Sequence, residues 1–255
     1  MKLIIGYFYP HKLNLYGDDG NVQILKARAK ERGIDAEIVE ITTETKLTSE
    51  MMSSINLVFM GGGPDSSQHA IYDDLIQNKN TYLRDYIEGD GVGLYICGSY
   101  QLLGNYYKAA DGTVLGGLSV FDIYTEHFGN KKARCIGNVV CELNEDLRHD
   151  PVFNHLNQIG NTLVGFENHG GRTYLGENVA PFAKITKGHG NNSEDGTEGI
   201  WYKNSIGTYL HGPILARNPH LADYLIAKAL GVDDLKVLDD SLIISAHSAS
   251  KNLKQ

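Results

Sequence analysis

At 255 residues the chain is long enough to bury a core without disulfide or metal staples, and its 42% hydrophobic and 21% charged residues are those of an ordinary globular protein. A formal net charge of −8 excludes electrostatic capture of nucleic acid or of an anionic membrane surface, since both demand a basic face. The three cysteines, Cys97, Cys135 and Cys141, form neither a disulfide framework nor a zinc spacing; with no run near the roughly 20 apolar residues of a membrane span and no cleavable leader, the expected setting is the reducing cytoplasm.

Leu3–Tyr9 reads as a strand that stops at Pro10. Asn21–Arg32 carries Val22, Leu25 and Ala29 at helical spacing, with Gly33 as a stop. Ala36–Ile41 is the next strand, and the apolar run Ile55–Met60 ends in three glycines, Gly61, Gly62 and Gly63. Residues 69–88 predict a helix and Val92–Ile96 a buried strand. This βαβαβ order specifies a mostly parallel sheet with helices on both faces. Residues 113–142 and 162–186 are strand-rich, whereas His189–Gly199 is a polar loop, either a lid or plain solvated surface. Asn218 and Pro219 open a closing helix as N-cap and first residue, with Leu221, Tyr224 and Leu225 on its apolar face. The expectation is one domain over residues 1–240, and a tail, 241–255, that is partly disordered.

Cys97 follows the strand Val92–Ile96 and is followed by Gly98 and a short helical pattern. That is the layout of a nucleophile elbow with sulfur in place of a serine oxygen. The helix start also favours the thiolate and offers amides to a developing oxyanion. The plainer reading is a small buried hydrophobe, which would not need glycine beside it. Gly61–Gly63 ends the neighbouring strand, so in a parallel sheet it shares the carboxyl edge with Cys97. It is an oxyanion loop with donors near Gly62, Gly63 and Gly98, a phosphate loop, or a plain turn. His211 ends the apolar run Gly207–Leu210 just before Gly212 and Pro213. At a strand end it can take a thiol proton and return it to a leaving amine.

Gly61–Gly63, Cys97–Gln101 and Gly207–Pro213 together resemble the class I glutamine amidotransferases of the cobyric-acid-synthase-like branch. Asn14–Asn21, Gly165–Thr173, Gly188–Asn192 and Gly207–Leu215 narrow the likeness to the glutaminase subunits of two-subunit lipid II isoglutaminyl synthases, over about residues 3 to 230. The resemblance implies a flavodoxin-like α/β fold. It implies that Cys97 attacks the side-chain amide of L-glutamine, forming a thioester and freeing ammonia. The ammonia would pass to a MurT-like, Mur-ligase-type synthetase subunit. That partner, with ATP and magnesium, would amidate the D-glutamate α-carboxyl of the peptidoglycan stem peptide. No cofactor or metal is implied in this chain, nor membrane insertion; the work would lie near the inner membrane face, through the lipid-linked substrate of the complex. The resemblance also implies that Arg134, in Asn130–Gly137, binds glutamine, and that Gln101 and the glycine loop seat the substrate and its oxyanion.

The class commonly has a carboxylate two residues after the histidine, to fix its tautomer; here that position is Pro213. A dyad suffices, Asp19 or Glu167 substitutes, or the partner chain supplies the acid. The partner is the favoured expectation. The rival readings are amidation of another acceptor such as a cobyrinate-type molecule, a solitary γ-glutamyl hydrolase, and a non-catalytic binding module on the same sheet.

Overall fold

The computed structural model describes residues 1–156 and 159–253. Strand β1 (Lys2–Phe8) leads through a loop into helix α1 (Asp19–Glu31), and β2 (Asp35–Ile41), α2 (Ser49–Ser54) and β3 (Leu57–Met60) follow. The single helix expected over 69–88 begins earlier, at Asp65, and is interrupted. Helix α3 (Asp65–Asp74) passes through a π-helical turn, Leu75–Lys79, into α4 (Asn80–Glu88). That turn rotates Lys79 inward, where its ammonium pairs with Asp74 at 3.2 Å. Strand β4 (Val92–Ile96) then runs into the five-residue helix α5 (Gly98–Leu102).

The middle of the chain forms β5 (Tyr106–Lys108), β6 (Val114–Gly116), β7 (Ile123–His127), β8 (Cys135–Leu143), α6 (Glu145–Arg148), β9 (Thr162–His169), β10 (Gly171–Leu175) and β11 (Ala183–Lys187). It closes with β12 (Thr197–Glu198), β13 (Ile200–Tyr202), β14 (Ser205–Thr208), α7 (Pro219–Leu230) and α8 (Ser241–Lys251).

The central sheet has the order β2-β1-β3-β4-β14-β13, and every pairing but β13–β14 is parallel. That is the doubly wound order of flavodoxin-like sheets. Its inner strands β3 and β4 are buried throughout, as strands covered on both faces must be. Register makes the carboxyl edge functional: Met60 pairs with Tyr95, and Ile96 pairs with Thr208. The glycine loop, Cys97 and the approach to His211 therefore leave the sheet side by side. Two four-stranded sheets, β10-β7-β5-β6 and β12-β11-β8-β9, complete the fold.

Three sequence expectations need revision. Asn218 precedes α7, but its side chain does not cap the helix. Instead it clamps β9, accepting from the Val164 amide at 2.9 Å and donating to the Val164 carbonyl at 2.7 Å, so a backbone strand edge outbids the cap. The loop 188–199 is neither lid nor loose surface. Asn191 and Asn192 are fully buried, bonding Gly199 and Thr173, and Glu167 accepts the His189 and Gly190 amides at 2.7 and 2.9 Å. Of the tail 241–255, expected to be partly disordered, residues 254 and 255 lie outside the described residues, and the rest contains α8. It is tethered where Arg28 grips Asp223 and Asp240 together, and His247 bonds the Arg217 carbonyl and Thr162. A short amphipathic segment gains order from such buried partners rather than from its own propensity.

Candidate active site

Cys97 sits at φ +50°, ψ −108°, outside the regions a non-glycine residue ordinarily occupies. Strain of this kind costs roughly 1–3 kcal/mol and persists only where neighbours enforce it. Here the Cys97 amide donates to Thr208 O at 2.8 Å, and the Ser99 hydroxyl donates to Met60 O and Ile96 O at 2.8 and 3.0 Å. The elbow is thereby stitched to β3, β4 and β14 at once.

His211 arrives from the adjacent strand, and its backbone exchanges two hydrogen bonds with Phe166 of β9. Its ring is buried, with Nδ1 3.2 Å from Asp18 Oδ1, leaving Nε2 without a hydrogen bond of ordinary geometry. Nε2 is thus the free nitrogen, and Nδ1–H the donor to the acid. Burial pulls the imidazole pKa down, but the hydrogen bonds and charges of Asp18 and Cys97 outweigh it and raise it to about 10. The crowding is visible at Gly62: a Cβ there would lie 2.8 Å from His211 Cε1, 3.0 Å from Cys97 Cβ and 3.2 Å from Asp18 Oδ2. Cysteine, histidine and aspartate converge on one glycine.

Within this chain the carboxylate that meets the His211 ring is Asp18, a residue outside the expected candidates. Asp19 opens α1 instead, and Glu167 is occupied by the 188–199 loop. Asp18 lies in the Asn14–Asn21 stretch, but nothing in its spacing marks it, since it meets His211 from 193 positions away. Its second oxygen accepts the Gly62 amide at 2.7 Å. That bond removes Gly62 from the predicted oxyanion donors and leaves the amides of Gly63 and Gly98. The latter two glycines are close neighbours, for a Cβ on Gly98 would lie 2.9 Å from Gly63 O.

In front of Cys97 opens a cavity of about 470 Å³ whose wall includes Gln68, Gln101, Arg134 and Tyr16. Gln101 is a structural part of that wall: its amide donates to Tyr209 OH at 3.0 Å and accepts from Gln68 at 3.1 Å. The other Gln68 atom, Oε1, is buried and unpartnered. Arg134 is exposed at the rim, held against Asn168 by contacts of 3.0 to 3.1 Å; Asn168 in turn donates to Tyr16 OH at 2.6 Å. Behind the site Glu198 is fully buried. It accepts from Thr208 Oγ1 at 2.6 Å and the Tyr209 amide at 2.8 Å, and burial raises its pKa to about 7 against the pull of those two bonds. Among the described residues no cluster of three or more histidine, cysteine, aspartate or glutamate side chains is arranged for a metal, and no helix is long and apolar enough to cross a membrane.

A thiol on a strained turn, a histidine and a carboxylate at the edge of a doubly wound sheet form an arrangement chemically able to carry out cysteine-dependent acyl transfer. Residues 4–219 match the CobB/CobQ-like glutamine amidotransferase domain, and the chain belongs to that family. It is 43% identical over 228 residues to the lipid II isoglutaminyl synthase (glutamine-hydrolyzing) subunit GatD of Staphylococcus aureus, covering 89% of this chain and 84% of that protein. The identity to GatD of Streptococcus pneumoniae is 38% over 229 residues, covering 90% and 81%. Among solved structures, the glutaminase domain of Trypanosoma brucei CTPS shares the fold at a TM-score of 0.58 and 11% identity, covering 91% of this chain and 96% of that one.

Proposed function

We propose that this chain is the glutaminase subunit of a two-subunit lipid II isoglutaminyl synthase. The thiol proton passes to His211 Nε2, whose raised pKa holds it there, and Cys97 Sγ attacks the γ-carboxamide carbon of L-glutamine. The oxyanion is met by the Gly63 and Gly98 amides. His211 returns the proton to the leaving nitrogen, releasing ammonia and leaving a γ-glutamyl thioester. Water, deprotonated by the same imidazole, then frees L-glutamate and restores the thiol. Asp18 keeps the ring turned with Nε2 toward sulfur and steadies its positive charge. The ammonia passes to a MurT-like synthetase, which uses ATP and magnesium to amidate the D-glutamate α-carboxyl of lipid II at the cytoplasmic membrane face.

The observation that carries the glutaminase assignment is the strained Cys97 beside an imidazole held by Asp18, at the floor of a cavity open to a small amide. The identity to two named GatD subunits, along more than four-fifths of their length, supports the acceptor. The test is amidation of lipid II by the complex with Cys97→Ala, given either glutamine or ammonium salt. Retained ammonium-driven and lost glutamine-driven amidation is the expected result. Undiminished use of glutamine would overturn the assignment.

A further inference from the structure

The polar loop 188–199 leads into a buried carboxylate that proton transfer between Cys97 and His211 does not use. Glu198, on β12, is fully buried. Burial resists its ionisation most; of the charges that bear on it, Glu167 adds to that resistance and His211 opposes it. No lysine or arginine pairs with it among the described residues, so its burial is costly and needs a firm mount. The loop supplies one. Asn191, itself fully buried, grips both neighbours of Glu198. Its side chain exchanges hydrogen bonds of 2.9 and 3.0 Å with Gly199 and donates to Thr197 Oγ1 at 3.0 Å, while its amide donates to Thr197 O at 2.8 Å. Gly199, at φ +61°, lets this turn lie close on β14, where a Cβ would meet Gly207 O at 2.3 Å. Glu167 anchors the far end of the loop through the His189 and Gly190 amides.

What this mounted carboxylate holds is the turn that leads to His211. Glu198 Oε1 accepts the Thr208 hydroxyl at 2.6 Å and the Tyr209 amide at 2.8 Å, and the same hydroxyl accepts the Leu210 amide at 3.0 Å. Three consecutive residues are thus pinned, and the next is His211. Thr208 also reaches the nucleophile, since its carbonyl accepts the Cys97 amide at 2.8 Å. We infer that Glu198 is a positioning residue, whose grip on Thr208 and Tyr209 sets the His211 imidazole and the Cys97 elbow at the separation that proton transfer needs. The inference rests on the glutaminase reading and gives the buried loop its task. Hydrogen bonds to a carboxylate are short and directional, and a displacement of about 1 Å between reacting groups can cost about 100-fold in rate.

The test reads chemistry apart from binding and stability. Glutamine hydrolysis is measured with the chain in complex with its synthetase, and alkylation by iodoacetamide is followed by mass and mapped to Cys97. Glu198→Ala is expected to lower kcat about 10- to 100-fold while KM changes by no more than about threefold. Alkylation of Cys97 should slow with it, because the thiol loses its aligned base. Glu198→Gln, whose amide oxygen can still accept both hydrogen bonds, should restore most of the rate. Thr208→Val removes the hydroxyl at nearly constant volume and should give a partial loss of the same kind. Combined with Glu198→Ala it should add nothing further, as for partners in one contact. An unchanged kcat in Glu198→Ala would overturn the inference. So would a loss confined to KM or to the melting temperature with Cys97 alkylated as fast or faster, which is the mark of a merely loosened core. Should Glu198→Ala not fold, Thr208→Val decides alone, and an unchanged kcat there would overturn the inference as well. Failure of the glutaminase reading looks different: the unaltered complex frees no glutamate from glutamine, while Cys97 alkylation still answers to Glu198 and Thr208.

Discussion

Two histidines of this protein are equally buried, at 1% exposure, and have opposite fates. His211, at the sheet edge, faces Asp18 and Cys97, and its pKa rises to about 10. His220, on α7, packs against Phe153 with His247 6.1 Å away, and neither ring nitrogen makes a hydrogen bond of ordinary geometry. Burial and, secondarily, His247 push its pKa down to about 3, against a slight opposing contribution from the Thr162 backbone. Burial works against the charged ring in both cases. What separates an imidazole able to hold a proton from a packing one is the counter-charge placed beside it.

Removing that counter-charge should have the largest effect. Asp18→Asn is expected to cut kcat for glutamine hydrolysis by roughly 10²–10⁴-fold, and to move the His211 titration, followed by NMR of the ring, well below about 10. Next comes Gly62→Ala. The added methyl would press on all three catalytic groups, so a loss of about 10- to 100-fold in kcat/KM is expected with the far-ultraviolet circular dichroism preserved. A full-rate variant would mean the three groups are looser than their distances imply.

The third contrast is in stability against pH. His211 has its folded pKa raised, so the stabilisation from its charge is complete below about pH 6.5 and is lost as pH climbs through about 10. Urea titrations should show a decline on the order of 2 kcal/mol between about pH 7 and about pH 9, clearly smaller in Asp18→Asn. His220 has its folded pKa depressed, so its stabilising contribution holds above about pH 6.5 and falls away as pH drops toward about 3. His220→Leu should flatten an acid-side loss of about 1 kcal/mol between about pH 7 and about pH 5.5, the smallest effect of the four. If both variants gave the same pH profile, the distinction between the two histidines would collapse.

The first hundred residues were readable because β3 and β4 are short buried runs, the one ending in the glycine loop and the other in Cys97 and Gly98, and parallel order then forces their ends together. That rule sets the glycine loop and Cys97 side by side, while His211 was marked by the apolar run Gly207–Leu210 that delivers it to a turn. The middle of the chain resisted, since strands of three to five residues such as β5, β6 and β10 carry too little periodicity to separate from turns. Asp18 was illegible for a different reason. It sits in a loop beside a second aspartate, and only the close approach of that loop to the glycines, where a Cβ on Gly61 would meet Leu13 O at 2.2 Å, chooses between them. Gly62 was misassigned on the same ground: its amide has an acceptor that no local pattern announces. The family match places the chain among the CobB/CobQ-like amidotransferases, and the geometry brings Asp18 to His211.

The triad also has a timing. Its members come from opposite ends of the chain, and His211 follows β14, the last strand to join the parallel sheet. A polypeptide leaving the ribosome carries Cys97 long before the histidine that would arm it has been made, and chains fold from the N-terminus as they emerge. Because His211 follows β14, the Asp18–His211 contact can form only once that strand has been synthesised, so an incomplete chain lacks the assembled site.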